Sequence, residues 1–287
     1  MMVLLLCSAL PLRADAAAQF SGQKAFDYTR AVTAFGERVP GSAAHRRTED
    51  YIIQHLKSDG AQIDFDSFTA QTPRGALPMR NIIAKFGPAG QPIILLAGHY
   101  DTKFLPGFVG ANDGGSSTGV LLAIADVLKT NPPKFNVWLL FLDGEEAVKS
   151  WTATDSVYGS RHLAQKLAQE GYVPKIRGLI LADMIGDKDP DIAKEMNSTG
   201  WLRDFVSTAA REMGYSRYFF KQEMYIEDDH QPFLKVGIPS VDLIDFTYGP
   251  NNSFWHTRQD TIDKLRPHSF QVVGSVMLKT VELLERQ

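Results

Sequence analysis

Residues 92–128 read PIILLAGHYDTKFLPGFVGANDGGSSTGVLLAIADVL. The run opens on Ile93, Ile94, Leu95, Leu96 and Ala97, long enough for one strand and without polar alternation. A continuous apolar run predicts a strand buried on both faces, as in a parallel sheet. At its carboxyl end the chemistry turns to Gly98-His99-Tyr100-Asp101. An imidazole and a carboxylate therefore stand where open α/β sheets place their ligands. A glycine-rich loop then delivers Asp113 ahead of a helix predicted from about Ser117 to Leu128. Alone, the stretch would equally describe a hydrogen-bonded His–Asp pair and a capping loop, so the flanking chain has to decide.

Downstream, the same pattern repeats. Phe135–Leu142 (FNVWLLFL) reads as a buried strand ending in Asp143-Gly144-Glu145-Glu146, and Arg177–Met184 (RGLILADM) as another, carrying Asp183 near its end. Gly237–Ile244 reads as a last strand, preceded by a loop with Asp228 and Asp229 and followed by Phe254-Trp255-His256. Helices are predicted at Gln23–Phe35, Ala44–Ser58, Ser156–Glu170, Thr199–Met213 and Pro267–Leu284. Ile63, Phe65 and Phe68 mark a strand, Thr69–Arg80 a loop, Asn81–Phe86 a strand, Tyr215–Phe220 a short edge strand and Tyr225–His230 a loop. Alternating strands and helices without a linker predict one α/β domain with a mainly parallel, mixed central sheet flanked by helices.

Parallel strands point the same way, so these acidic strand ends gather on one edge. Clustered carboxylates repel and raise one another's pKa unless a cation sits among them. Lys103 is the nearest basic residue in sequence, and a divalent metal is the simpler answer. Ligands of His and Asp/Glu type, without Cys, suit zinc in a catalytic site. Glu145 and Glu146 leave their strand in different directions, so one can bind metal while the other faces substrate as general acid or base.

The chain has 287 residues, 44% apolar, with a formal net charge of −3. No charge excess points to nucleic acid or an anionic membrane surface. The start, MMVLLLCSALPLRADAAAQF, reads as a signal peptide over 1–18 without a basic n-region, with Ala14-x-Ala16 and Ala16-x-Ala18 as cleavage sites. The single domain then spans 19–287. Pro11 and Arg13 interrupt the apolar run, which is too short to span a bilayer. Cys7 is the only cysteine, and the large leucines before it argue against a lipoprotein anchor. Cleavage would leave no thiol, so a secreted or periplasmic location is expected.

Seven strings carry a resemblance: Arg38-Val-Pro-Gly-Ser42, Asp66-Ser-Phe-Thr-Ala-Gln-Thr-Pro73, His99-Tyr-Asp-Thr-Lys103, Phe141-Leu-Asp-Gly-Glu-Glu-Ala147, Asp155-Ser-Val-Tyr-Gly-Ser-Arg-His-Leu-Ala164, Asp228-Asp-His-Gln-Pro-Phe-Leu234 and Trp255-His-Thr257. With Asp113 and Asp183 they resemble the animal-type (type II) glutaminyl-peptide cyclotransferases, or glutaminyl cyclases, within the zinc peptidase M28 superfamily. The resemblance implies a zinc aminopeptidase-like three-layer sandwich and one zinc per chain held by Asp113, Glu146 and His256. It implies Glu145 as proton shuttle with Asp183 and Asp228 around it, and Trp151 and Trp255 lining the glutamine pocket. Peptide or protein N-termini would be the substrates, cyclised to pyroglutamate with loss of ammonia. Core packing is the expectation for Trp138 and Trp201.

His99 and Asp183 are also where the aminopeptidases of the superfamily hold a second zinc, so the ligand set permits two. The loop Gly110-Ala-Asn-Asp-Gly-Gly115 is similar to those peptidases, whereas Gly119, six residues after Asp113, matches the cyclase spacing. Glu227 stands in the substrate-binding region where the cyclases carry an uncharged glutamine. A zinc aminopeptidase and a non-catalytic binding ectodomain are the competing readings. The second is disfavoured because every ligand type is present. Oligomeric state is not legible.

Overall fold

The structure, a computed structural model, describes residues 16–287. Cys7 and residues 1–15 of the expected leader lie outside the described residues. In chain order come α1 (Ala16–Gln19), α2 (Gly22–Thr33), α3 (Ala43–Ser58), β1 (Gln62–Thr72), β2 (Gly75–Phe86), β3 (Ile93–His99), α4 (Gly115–Thr130) and β4 (Asn136–Leu142). There follow α5 (Tyr158–Gln169), β5 (Ile176–Asp183), β6 (Ile192–Glu195), α6 (Gly200–Glu212), β7 (Phe219–Met224), α7 (His230–Lys235), β8 (Ser240–Ile244) and α8 (Pro267–Leu284). The short α1 carries packed structure into residues 16–18, with Ala17 buried and the Ala16 N–H donating to Glu282 Oε1 at 3.0 Å.

The central sheet runs β1-β2-β4-β3-β5-β8. Strands β4, β3, β5 and β8 are parallel, and β2 joins β4 antiparallel, which makes the sheet mixed. Every residue of β3 is buried. Ile94 and Leu96 face a core shared with α4 and α8, while Ile93, Leu95 and Ala97 face a second core with Leu163 and Leu167 of α5 and Phe233 of α7. Two cores on opposite faces of one strand are why its sequence lacks alternation. They also make the three-layer arrangement.

Helix α4 carries the loop bearing Asp113 and lies against α2. A Cβ on Gly119 would stand 2.1 Å from Thr29 Oγ1 and 2.5 Å from the Ala25 carbonyl. The glycine spacing after Asp113 thus reports a close helix crossing.

Four local expectations need correction. Thr69–Arg80 is not loop: β1 and β2 form a long hairpin, with Thr72 opposite Gly75 across its turn. Pro78 is tolerated because β4 pairs only with residues 82–86 of β2, leaving that outer stretch a two-stranded ribbon. Phe65 faces out at 45% exposure, and Asp66 is buried instead. Asp66 accepts from Asn81 Nδ2 at 3.0 Å, His162 Nδ1 at 2.9 Å and Lys166 Nζ at 3.1 Å. The edge strand expected at Tyr215–Phe220 starts later: Ser216–Tyr218 is a 3-10 turn, and β7 runs to Met224 beside β6. Trp138 is core, but Trp201 is 44% exposed in the first turn of α6, edge-on to Phe205.

Candidate active site

The parallel strands deliver their acidic ends to one edge, as their common direction requires. Asp113, Glu146 and His256 converge there from the loop before α4, the turn after β4 and the loop before α8. His256 Nε2 lies 3.3 Å from Asp113 Oδ2 and 3.1 Å from Glu146 Oε1. Both carboxylate oxygens are buried and are not aligned as hydrogen-bond acceptors with any partner among the described residues. Buried unpaired acceptors are costly unless a cation satisfies them. Separations of 3.1–3.3 Å match the edge of a tetrahedron, about 3.3 Å, whose centre lies about 2.0 Å from each vertex, the usual zinc–ligand distance. The residues fit zinc. The other Glu146 oxygen, Oε2, accepts from Lys103 Nζ at 3.1 Å, which orients the carboxylate.

Asp113 Oδ1 faces the other way. His99 Nε2 lies 3.2 Å from it and 3.2 Å from Asp183 Oδ1, forming a second buried His–Asp–Asp group. Here the geometry is that of hydrogen bonds: His99 Nε2 contacts Asp183 Oδ1 and His99 Nδ1 contacts Asp101 Oδ1 at 3.3 Å. Ser117 Oγ adds a long contact to Asp183 Oδ1 at 3.5 Å.

Beside the trio opens a cavity of about 390 Å³. Asp113 and His256 line it, together with Glu145, Asp183 and Asp228 as buried carboxyl groups. Trp255, stacked on His256 at 4.0 Å, and Trp151 line it as well, together with Glu227. All the residues read from sequence as proton carriers or pocket walls therefore share one space. Burial pushes the Glu145 carboxyl well above the usual range, with Glu146, Asp228 and Asp229 adding to it against His99. Asp228 is likewise pushed well up, by burial first and then by Asp183 and Asp229.

Other residues hold this arrangement and were not read from sequence as doing so. Asp101 is a brace: its Oδ1 accepts the Glu145 N–H at 3.1 Å and its Oδ2 the Glu146 N–H at 3.3 Å. Asp260, buried, accepts the Asn112 N–H at 2.7 Å and the Asp113 N–H at 3.1 Å, and Tyr248 donates to it at 2.7 Å. Arg38, fully buried, donates to the carbonyls of Tyr100, Val109 and Gly110 and so joins the loops after β3. Burial lowers its guanidinium to about 10. Gly114 has φ of 77°, and a Cβ there would lie 2.5 Å from the Asp101 carbonyl, so the turn beside Asp113 admits no side chain.

The family model for peptidase family M28 matches residues 81–281. A glutaminyl-peptide cyclotransferase of Drosophila melanogaster is 35% identical over 251 residues, covering 78% of this chain and 70% of that one. The chain belongs to the glutaminyl cyclases of peptidase family M28. Among solved structures of the family, an Acidobacteriales bacterium glutaminyl cyclase superposes with TM-score 0.91 at 42% identity, covering 97% of this chain and 99% of that one. A Zn-dependent exopeptidase from Parabacteroides distasonis superposes with TM-score 0.82 at 29% identity, covering 93% and 99%. Family membership and the donor set point to the same metal.

Proposed function

We propose that this chain is a zinc-dependent glutaminyl-peptide cyclotransferase acting on peptide or protein N-termini, with one zinc held by Asp113, Glu146 and His256. The observation that carries the reading is the split of the adjacent Glu145 and Glu146. Glu146 closes the ligand trio with Oε1, while Glu145 lines the cavity that Trp151 and Trp255 also border. Membership of the glutaminyl cyclases says which reaction such a division serves.

Zinc, when bound, supplies a Lewis acid for the γ-carboxamide of an N-terminal glutamine. The chain's own groups do the rest. Trp151 and Trp255 flank the side chain and exclude water. The substrate's α-amine attacks the γ-carbon, forming the lactam C–N bond, and the bond to the amide nitrogen breaks. Glu145 takes the proton the amine loses and returns it to the departing nitrogen, which leaves as ammonia. Asp183 and Asp228 border the same space; Asp183 is fixed by His99, and Asp228 by the Asp229 N–H. No water is consumed.

A zinc aminopeptidase is the second reading, favoured by the His99–Asp113–Asp183 group as a site for a second ion. Incubating the purified protein with glutaminyl and leucyl peptides, and assaying ammonia against free amino acid, separates the two. Ammonia from glutaminyl peptides alone supports the cyclase; released leucine would overturn it. We also propose export directed by residues 1–18, tested by N-terminal sequencing of protein recovered outside the cytosol.

A further inference from the structure

The mouth of the cavity carries a carboxylate with no cation against it among the described residues. Glu227 is exposed, and its Oε2 accepts the Trp151 indole N–H at 3.0 Å. The cation that lines the same cavity, Lys103, is committed to Glu146 at 3.1 Å. On the neighbouring small sheet, Lys194 is committed to Glu223 at 2.7 Å. Glu227 forms no ion pair among the described residues. It is held on two firm supports. Asp155 accepts the backbone N–H groups of Val148, Lys149 and Ser150 at 2.9–3.0 Å, fixing the loop that carries Trp151. The Ile226 N–H, beside Glu227, donates to buried Glu195 at 3.3 Å.

The same rim exposes aromatic surface. Tyr225 is 79% exposed and Trp151 37%, so two aromatic faces border the cavity in reach of solvent. A peptide whose first residue filled the cavity would bring its second residue to this rim, which Glu227, Trp151 and Tyr225 border. A carboxylate without a cationic partner, beside two aromatic faces, attracts a cationic side chain by charge and by cation–π contact, and repels an anionic one.

Resting on the cyclase reading above, we propose that Glu227 makes this enzyme selective for glutaminyl peptides with a lysine or arginine next to the glutamine, and against aspartate or glutamate there. The preference is modest, because the pair it forms is solvent-exposed: about three- to tenfold in kcat/KM between an arginine and a glutamate substrate. It lies mainly in KM, since the contact is the same before and during the reaction. It shrinks with salt, because exposed charges are screened over about 8 Å at physiological ionic strength.

The test compares Gln-Arg-amide, Gln-Ala-amide and Gln-Glu-amide by ammonia release, at low and high salt, with wild type and Glu227→Gln. Glutamine keeps a side-chain oxygen for the Trp151 N–H while removing the charge. Expected is the order Arg, Ala, Glu in wild type, compressed by salt and collapsed in the variant. Equal wild-type rates, or a preference that survives in Glu227→Gln, would overturn the proposal while leaving the cyclase standing. Should the variant fail to fold, the wild-type order and its salt dependence decide alone. No ammonia from any of the three would bring down the cyclase reading, and this proposal with it.

Discussion

Asp101 is bonded through its side chain to the backbone of Glu145: its Oδ1 accepts that N–H at 3.1 Å, and its Oδ2 accepts the next one, of Glu146, at 3.3 Å. One carboxylate at the end of β3 therefore fixes both functional glutamates at the end of β4. Removing it in Asp101→Ala strands two buried amides, at a cost of about 1–3 kcal/mol each way of counting an unsatisfied buried group. We expect a lower denaturation midpoint together with a fall in kcat larger than the rise in KM. Normal kcat in a folded Asp101→Ala would show that the glutamates hold themselves.

Glu145→Gln keeps the size of the side chain and leaves the ligand trio untouched. It should retain zinc and fold while losing at least about a hundredfold in turnover, the ordinary scale of general acid–base catalysis. Metal analysis and steady-state kinetics on the same preparation make the comparison. Unchanged turnover with metal retained would take Glu145 out of the mechanism.

Chelation should abolish activity, and zinc should restore it at one ion per chain. Zinc should also raise the melting temperature of the stripped protein, because a ligand that binds only the folded state stabilises it. Asp113→Ala should lose the ion at chelator concentrations that wild type resists. A second tightly held zinc per chain, seen by elemental analysis, would overturn the proposal of a single ion.

His45 and Asp143 form a buried pair at 2.8 Å, and Asp143 also accepts the Arg80 N–H at 2.7 Å. Burial lowers the imidazole pKa, yet Asp143 and the more distant Glu49 and Asp101 outweigh it, leaving His45 above its ordinary value. A histidine raised in the folded state binds more protons there than in the unfolded chain. Its stabilisation is complete below about pH 6.5 and is lost as pH rises through the folded value. Urea unfolding of zinc-loaded protein from pH 6 upward should show this decline, and His45→Gln should flatten it. Equal slopes in the two proteins would mean that His45 does not titrate in this way.

Much of this was legible because it is written locally. The continuous run Ile93–Ala97 announces a doubly buried strand, and an acidic residue at the end of such a strand announces an edge where ligands gather. Asp113, Glu146 and His256 were legible as one group only through the family resemblance, since no spacing links residues from three separate loops. Asp260 was invisible: it reaches the Asn112 and Asp113 amides from far along the chain, and nothing around it distinguishes it from a surface aspartate. The hairpin at residues 62–86 was misread because Pro73, Gly75 and Pro78 are breakers in a flat sheet but tolerable at a turn and in a ribbon. Trp201 was misread because size and hydrophobicity say nothing about which side of a helix faces water.

Since β3, β4, β5 and β8 all point one way, every group named in the chemistry lies at or beyond their carboxyl ends. Their amino ends, entered from the turns near Gly90, Pro133, Pro174 and Gly237, contribute none of it. The molecule therefore has a working rim and a rim free to diverge. Insertions, fusion partners or a circular permutation joint at the second would leave the first intact, so lineages of this fold can acquire new appendages there without renegotiating catalysis.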